Sequence, residues 1–331
     1  MGWFSRENKV DPNSESRDWQ LVASIAQESL QEQKKARRWG IFFKLFFCIY
    51  VVVVLVGVMR QNSAAQYSVS QEHVGIVYLD GVIAADQVAN ANDLAAALRA
   101  AFESPSSKAV ILAINSPGGS PVQSGYVYDE INRLRDIHTD KKLYAVISDL
   151  GASGGYYIAA AADEIYADKS SLVGSIGVTA SSFGFVDLMS KMGVERRNYT
   201  SGEHKSFLDP FSPRREDETV FWESVLTTTH EQFIDAVEAG RGDRLIADPQ
   251  DNGIYSGLIW SGEQALDLGL IDGLGSAGHV AREIINNEHV VDYTLRPTPF
   301  EEFSESLGIS IGKGIGAVIN AVTHQSVQLR Y

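Results

Sequence analysis

Three glycine-rich turns, each at the end of an apolar run, carry the residues best placed for chemistry: Asn115-Ser116-Pro117-Gly118-Gly119-Ser120, Gly151-Ala152-Ser153-Gly154-Gly155 and Gly174-Ser175-Ile176-Gly177. In parallel α/β architecture such turns gather at the carboxyl edge of the sheet, where missing Cβ atoms let backbone N–H groups approach a ligand. One such turn is only a tight turn; three of them outline a site. Ser153 lies between a strand-like run and a helix-like run that begins near Gly154. Its hydroxyl is therefore presented at a helix N-terminus, while the N–H of Gly154 can face a developing oxyanion. The Gly118-Gly119 turn is placed to supply a second N–H. A serine nucleophile with two amide donors points to acyl transfer.

The hydroxyl also needs a proton acceptor. Candidates follow in Thr200-Ser201-Gly202-Glu203-His204-Lys205-Ser206, where His204 and Lys205 are adjacent. The run Gly151-Ala152-Ser153-Gly154-Gly155 also satisfies the G-x-S-x-G elbow, which would suggest a triad with a distal histidine, His279 or His289. No lipase-type HGGG run accompanies it. Composition and spacing leave the choice between lysine and histidine open. A lysine acts as a base only when neutral, and burial can lower a lysine pKa by about 3–5 units from about 10.4, so a lysine base implies an apolar, water-excluding groove. Asp149 and Tyr156 lie close to Ser153 in sequence but read as a strand-end carboxylate and a core aromatic.

The elements that must position these residues alternate. Strand-like runs at 74–79, 109–114 and 143–148 are interleaved with helix-like ones at 92–102, 122–134 and 154–162, which predicts an α/β domain. Short β units are expected at 164–167 and 174–178, then helices at 185–192, 217–239, 263–268 and 277–285, with a polar loop over 200–216. There is no internal repeat. The organisation read from this is a leader over 1–40, an apolar span over 41–59, a tether over 60–72, a catalytic domain over 73–290 and a tail over 291–331, whose Gly-rich run Ile309–Val322 is too short to span a bilayer.

The run Ile41–Met59 is long enough to cross a hydrocarbon core as one helix, which takes about 20 residues. Its one charge, Lys44, lies a turn from the end and can snorkel to the headgroups. A cleaved signal peptide is the rival, with Ser63-Ala64-Ala65 as cleavage site, but its leader would be unusually long. Lys34, Lys35, Arg37 and Arg38 precede the run and only Arg60 closely follows, so the N-terminus is expected in the cytoplasm and everything after Arg60 outside it. The net charge of −14 offers no basic stripe, which argues against a nucleic-acid partner. The single cysteine, Cys48, lies inside the apolar run and allows no internal disulfide. No metal or cofactor site is expected.

The runs NSPGG, GASGGYYIAAAAD, VGSIGV and SGEHK, in this order, resemble the signal peptide peptidase A family of Ser/Lys peptidases, over about Val74–Ile285. The resemblance implies a Clp-protease/crotonase-like ββα superhelix behind one transmembrane helix. It implies Ser153 as nucleophile and Lys205, 52 residues later, as general base and acid, with Ser175 orienting the lysine amine. His204 departs from the family, which more often has a tyrosine or similar residue there. The implied activity is endoproteolysis of short apolar peptides, chiefly signal-peptide remnants, by a ring-like homo-oligomer anchored through residues 41–59 in the inner membrane of a bacterium, its catalytic domain extracytoplasmic. Two other readings share the fold: a crotonase-type acyl-CoA enzyme, and a non-catalytic peptide-binding scaffold.

Overall fold

β-Branched and leucine-rich runs bounded by polar turns give three long parallel strands, β1 (His73–Asp80), β2 (Ser107–Ser116) and β3 (Leu143–Ala152), in the order β3-β2-β1. The computed structural model describes residues 34, 35, 37–53, 70–246 and 248–296. The chain falls into two units, Met1–Ser68 and Val69–Tyr331.

In the first unit residues 37–53 form a helix, α1, exposed at every position. Ile41, Phe42, Phe43, Phe46 and Phe47 are all more than half exposed. Among the described residues no helix is long and apolar enough to cross a membrane. The expected span 41–59 is described only as far as Val53, and its last six residues lie outside the described residues, as do most of the leader, the tether up to residue 69 and the tail from residue 297.

In the second unit the period-2 alternation of the strands separates two cores. Val77, Leu79, Val110, Leu112, Ile114, Leu143, Ala145 and Ile147 face one side, where α2 (Ala91–Glu103), α3 (Pro121–Ile137) and α4 (Gly154–Ala159) add Leu98, Phe102, Ile131 and Tyr156. Val74, Ile76, Ala109, Ile111, Tyr144 and Val146 face the other, closed by Val280 and Ala281. Those two residues sit in a π-helical turn, Val280–Ile284, that continues α8 (Ala277–His279). Burial of each Leu, Ile or Phe contributes roughly 1.5–3 kcal/mol, so both faces resist separation. Helix starts are set locally: Asn90 caps α2 by accepting from the Asp93 N–H, and Ser120 caps α3 with Pro121 at its first position.

Strand β3 divides the sheet. Its first half, Tyr144–Ile147, pairs with β4 (Glu164–Ala167), and its last residues, Leu150–Ala152, pair with β5 (Leu172–Gly174). β5 in turn pairs antiparallel with β6 (Ile259–Ser261), β4 pairs with β7 (Gly273–Leu274), and β8 (Val290–Asp292) forms the edge beside β1. The remaining helices are α5 (Val186–Met192), α6 (Glu216–Arg241) and α7 (Gly262–Asp267). The α/β expectation therefore holds. The strand expected over 174–178 is corrected to Leu172–Gly174, because Gly174 and Ser175 both take positive φ (108° and 53°) and extended backbone cannot continue through them. The domain boundary expected at residue 290 falls inside β8, and the chain stays attached beyond it: the Tyr293 N–H donates to Ile76 O, and the Tyr78 N–H to Thr294 Oγ1.

Candidate active site

Ser153 follows the last residue of β3 and precedes α4, with φ 51° and ψ −124°. These are the angles of the first corner of a type II′ turn, where glycine is the usual residue. Backbone of this kind costs a non-glycine residue about 1–3 kcal/mol and persists only where its surroundings over-determine it. They do so here: the Ser153 N–H donates to Gly174 O at 2.8 Å, and Ser153 O accepts from the Tyr157 N–H at 2.9 Å. The side chain makes no capping bond and lines a cavity of about 590 Å³.

The turn after β2 is pressed against this elbow. A Cβ on Gly118 would lie 2.7 Å from Ser153 Cβ and 2.6 Å from the Gly154 nitrogen, so only glycine fits. A Cβ on Gly154 would fall 3.3 Å from the Gly119 nitrogen, which makes the two amides neighbours. Among the described residues neither the Gly119 nor the Gly154 N–H donates a hydrogen bond. The Gly118 N–H is occupied, donating to Ser116 Oγ at 3.1 Å. Gly119 and Gly154 are thus the pair free to hold an oxyanion, and Gly118 contributes space. The loop is fixed from outside, as the Ile83 N–H donates to Gly118 O and the Ser120 N–H to Ile83 O.

Ser175, Gly177 and Val178 form another wall of the same cavity, and the Ser175 N–H donates to Leu258 O at 2.7 Å. Of the residues expected at the site, Ser153, Ser175, Gly119 and Gly154 meet here with Gly118 behind them. Lys205 is apart: it sits in a series of turns at 201–208, exposed, with its N–H on Gly202 O, and it does not line the cavity. Neighbouring His204 is exposed too. The histidines of the triad alternative, His279 and His289, do not line the cavity either, and the His289 ring lies beside His73. Tyr156 is fully buried and donates to Leu270 O at 2.6 Å, a core role. Among the described residues no cluster of His, Cys, Asp or Glu converges to hold a metal ion.

Side chains not singled out in the sequence complete the walls: Tyr157, Tyr255, and Thr229, His230 and Phe233 from α6. Phe233 packs on Tyr157 with ring centroids 5.0 Å apart. Burial pushes the Tyr157 and Tyr255 phenols up, so both stay neutral. The available signal was periodicity. Phe233 and Val237 are core positions of α6, and His230 lies one turn before Phe233 on the same face.

A sequence profile of peptidase family S49 matches residues 135–290. A Na(+)/H(+) antiporter of Brucella melitensis is 41% identical over 226 residues, 67% of this chain and 30% of its own. A protein of Methanocaldococcus jannaschii named as a protease is 30% identical over 218 residues, 64% of this chain and 68% of its own. A protein of Enterococcus faecium named as a signal peptide peptidase is 30% identical over 188 residues, 57% of this chain and 53% of its own. The chain thus spans about 30% of the length of the first curated relatives it matches. The profile match takes in Ser153, Ser175 and Lys205, one relative is covered over two thirds of its length, and the α/β fold presents a serine beside two free amides: this chain belongs to peptidase family S49.

Proposed function

We propose that the chain is a membrane-anchored serine endopeptidase that cleaves short apolar peptides, such as signal-peptide remnants, through an acyl-enzyme on Ser153. The observation that carries this reading is the Ser153 elbow, a hydroxyl on strained backbone beside two undonated amides at a cavity wall. In the proposed reaction Ser153 Oγ attacks the scissile carbonyl and its proton passes to the neutral amine of Lys205, oriented by Ser175. The Gly119 and Gly154 N–H groups take the oxyanion, each donor worth about 3 kcal/mol in the transition state. Collapse expels the amine leaving group, which recovers the proton from the lysine, and water then releases the acyl group with the lysine again as base. The aromatic walls formed by Tyr157, Phe233 and Tyr255 suit an apolar side chain.

Lysine serves as a base only in a desolvated setting, whereas Lys205 is exposed in the single chain. The reading therefore needs its turn to be covered. Phe183, Tyr199 and Phe221, at 79%, 90% and 61% exposure, are large apolar side chains left in solvent in the single chain, and a homo-oligomer that shielded them would be supported by their burial. The exposed apolar face of α1 supports an anchor through residues 41–59, with the N-terminus on the cytoplasmic side of an inner membrane and the catalytic domain beyond it. A crotonase-type acyl-CoA enzyme would use the same amide pair but leave Ser153 idle. A peptide-binding scaffold is the second reading, favoured by the separation of Lys205 from the cavity.

The test is hydrolysis of a fluorogenic apolar peptide by detergent-purified protein. Activity lost in Ser153→Ala and Lys205→Ala and kept in His204→Ala supports the proposal. Normal cleavage by Lys205→Ala removes the lysine from the mechanism, and an inert wild type that still binds the peptide establishes the scaffold.

A further inference from the structure

The turn that carries Ser175 into the cavity is improbable backbone, with Gly174 at φ 108° and Ser175 at φ 53° in succession. Three hydrogen bonds hold it. Gly174 O accepts from the Ser153 N–H at 2.8 Å, the Ser175 N–H donates to Leu258 O at 2.7 Å, and His230 Nε2 lies 3.2 Å from Ile176 O. The first two are backbone to backbone; the third comes from a side chain on α6. A carbonyl only accepts, so Nε2 carries the proton in this bond.

The helix that presents His230 is anchored further along. Phe233 and Val237 are buried, and at the helix end Arg241 is 2% exposed and makes a two-pronged ion pair with Asp272. From the same face of α6, Phe233 packs on Tyr157, whose N–H donates to Ser153 O. One helix thus touches both sides of the elbow: Phe233 through Tyr157 on the Ser153 side, His230 through Ile176 on the Ser175 side.

We propose that His230 is a positioning residue of the catalytic cavity, its ring N–H holding the Ile176 carbonyl so that the Gly174-Ser175 turn stays seated against Ser153. This rests on the peptidase reading for its effect on turnover, though not for its effect on the turn. Any side chain that places a donor at the Nε2 position does the same work. Glutamine reaches that position, asparagine stops short, and leucine offers no donor.

The experiment compares wild type with His230→Gln, His230→Asn and His230→Leu, using full-length protein in detergent. Hydrolysis of a fluorogenic apolar peptide gives kcat and KM, thermal unfolding reports folding, and hydrogen exchange is followed in peptides containing Ser153 and Ser175. Misplacement by about 1 Å at a reacting centre commonly costs about 100-fold, so His230→Leu and His230→Asn should lower kcat by about 10- to 100-fold with KM within about twofold. Both should also exchange faster over the two peptides while remaining folded, and His230→Gln should restore both readouts. If His230→Leu fails to fold, His230→Asn carries the comparison. Wild-type kcat and exchange in the leucine and asparagine variants overturn the proposal. So does a glutamine variant as impaired as leucine, which would make the ring itself the working group. If wild type and Ser153→Ala are equally inert, the peptidase reading fails, and exchange alone still decides the role of His230 in the turn.

Discussion

Replacing Ser153 by glycine should remove the proposed nucleophile and stabilise the domain. At φ 51° and ψ −124° a residue bearing a Cβ carries about 1–3 kcal/mol of strain that glycine does not. Against this stands the greater freedom of glycine in the unfolded chain, about 0.5–1 kcal/mol. Loss of the hydroxyl adds little, because it makes no capping bond and is partly exposed. The net gain is about 0–2.5 kcal/mol, centred near 1, and for a domain of this size each kcal/mol raises Tm by roughly 2–4 °C. Ser153→Ala keeps the Cβ and the strain, so its Tm should stay near wild type. Circular dichroism melts of the three proteins, with urea titration for the free energies, read the difference directly. A glycine variant no more stable than the alanine variant would refute the strain assignment, and with it the argument that this backbone is held for function.

Gly119→Ala should lower kcat by about 10²–10³ and leave KM nearly unchanged, because the added Cβ would lie 2.1 Å from Ile83 O and push the loop and its amide out of place; steady-state kinetics on the apolar peptide check this. Asp272→Ala should destabilise the domain by about 3–5 kcal/mol in urea titration, since it strands the 2%-exposed Arg241 without its partner. The Glu130 carboxyl is held down at about 2, chiefly by its hydrogen bond to Arg133, with burial opposing and Arg99 assisting. A depressed carboxylate pKa contributes stability that is complete above the unfolded value of about 4.3 and is lost as pH falls toward about 2. Glu130→Gln should therefore flatten the stability-against-pH curve across that window, and an unchanged slope would count against the ion pair.

Much of the site was legible because glycine is a local signal. The three turns, Ser153 among them, stood out by type and spacing, and their meeting at one sheet edge followed from parallel strand order. Strands β1, β2 and β3 were equally visible, as long apolar runs buried on both faces. The short strands β6, β7 and β8 were not, because two or three residues are too few for alternation to register. The early end of β5 depends on the φ angles of Gly174 and Ser175, which a run of small and apolar residues does not betray. His230 escaped notice because its importance lies in what α6 packs against. The hydrogen-bond partner of its side chain, Ile176, is 54 residues away. Lys205 is the reverse case, a residue singled out by resemblance that the single chain leaves in solvent.

If Ser153 carries an acyl group during turnover, that group can be trapped. Wild-type protein is mixed with an apolar peptide ester, quenched in acid within the first turnovers, and its fragments are weighed by mass spectrometry. A mass increase equal to the acyl portion is expected on the fragment containing Ser153, absent from Ser153→Ala. Hydrolysis that continues in Ser153→Ala, or an adduct that maps to another residue, would contradict an acyl-enzyme on Ser153.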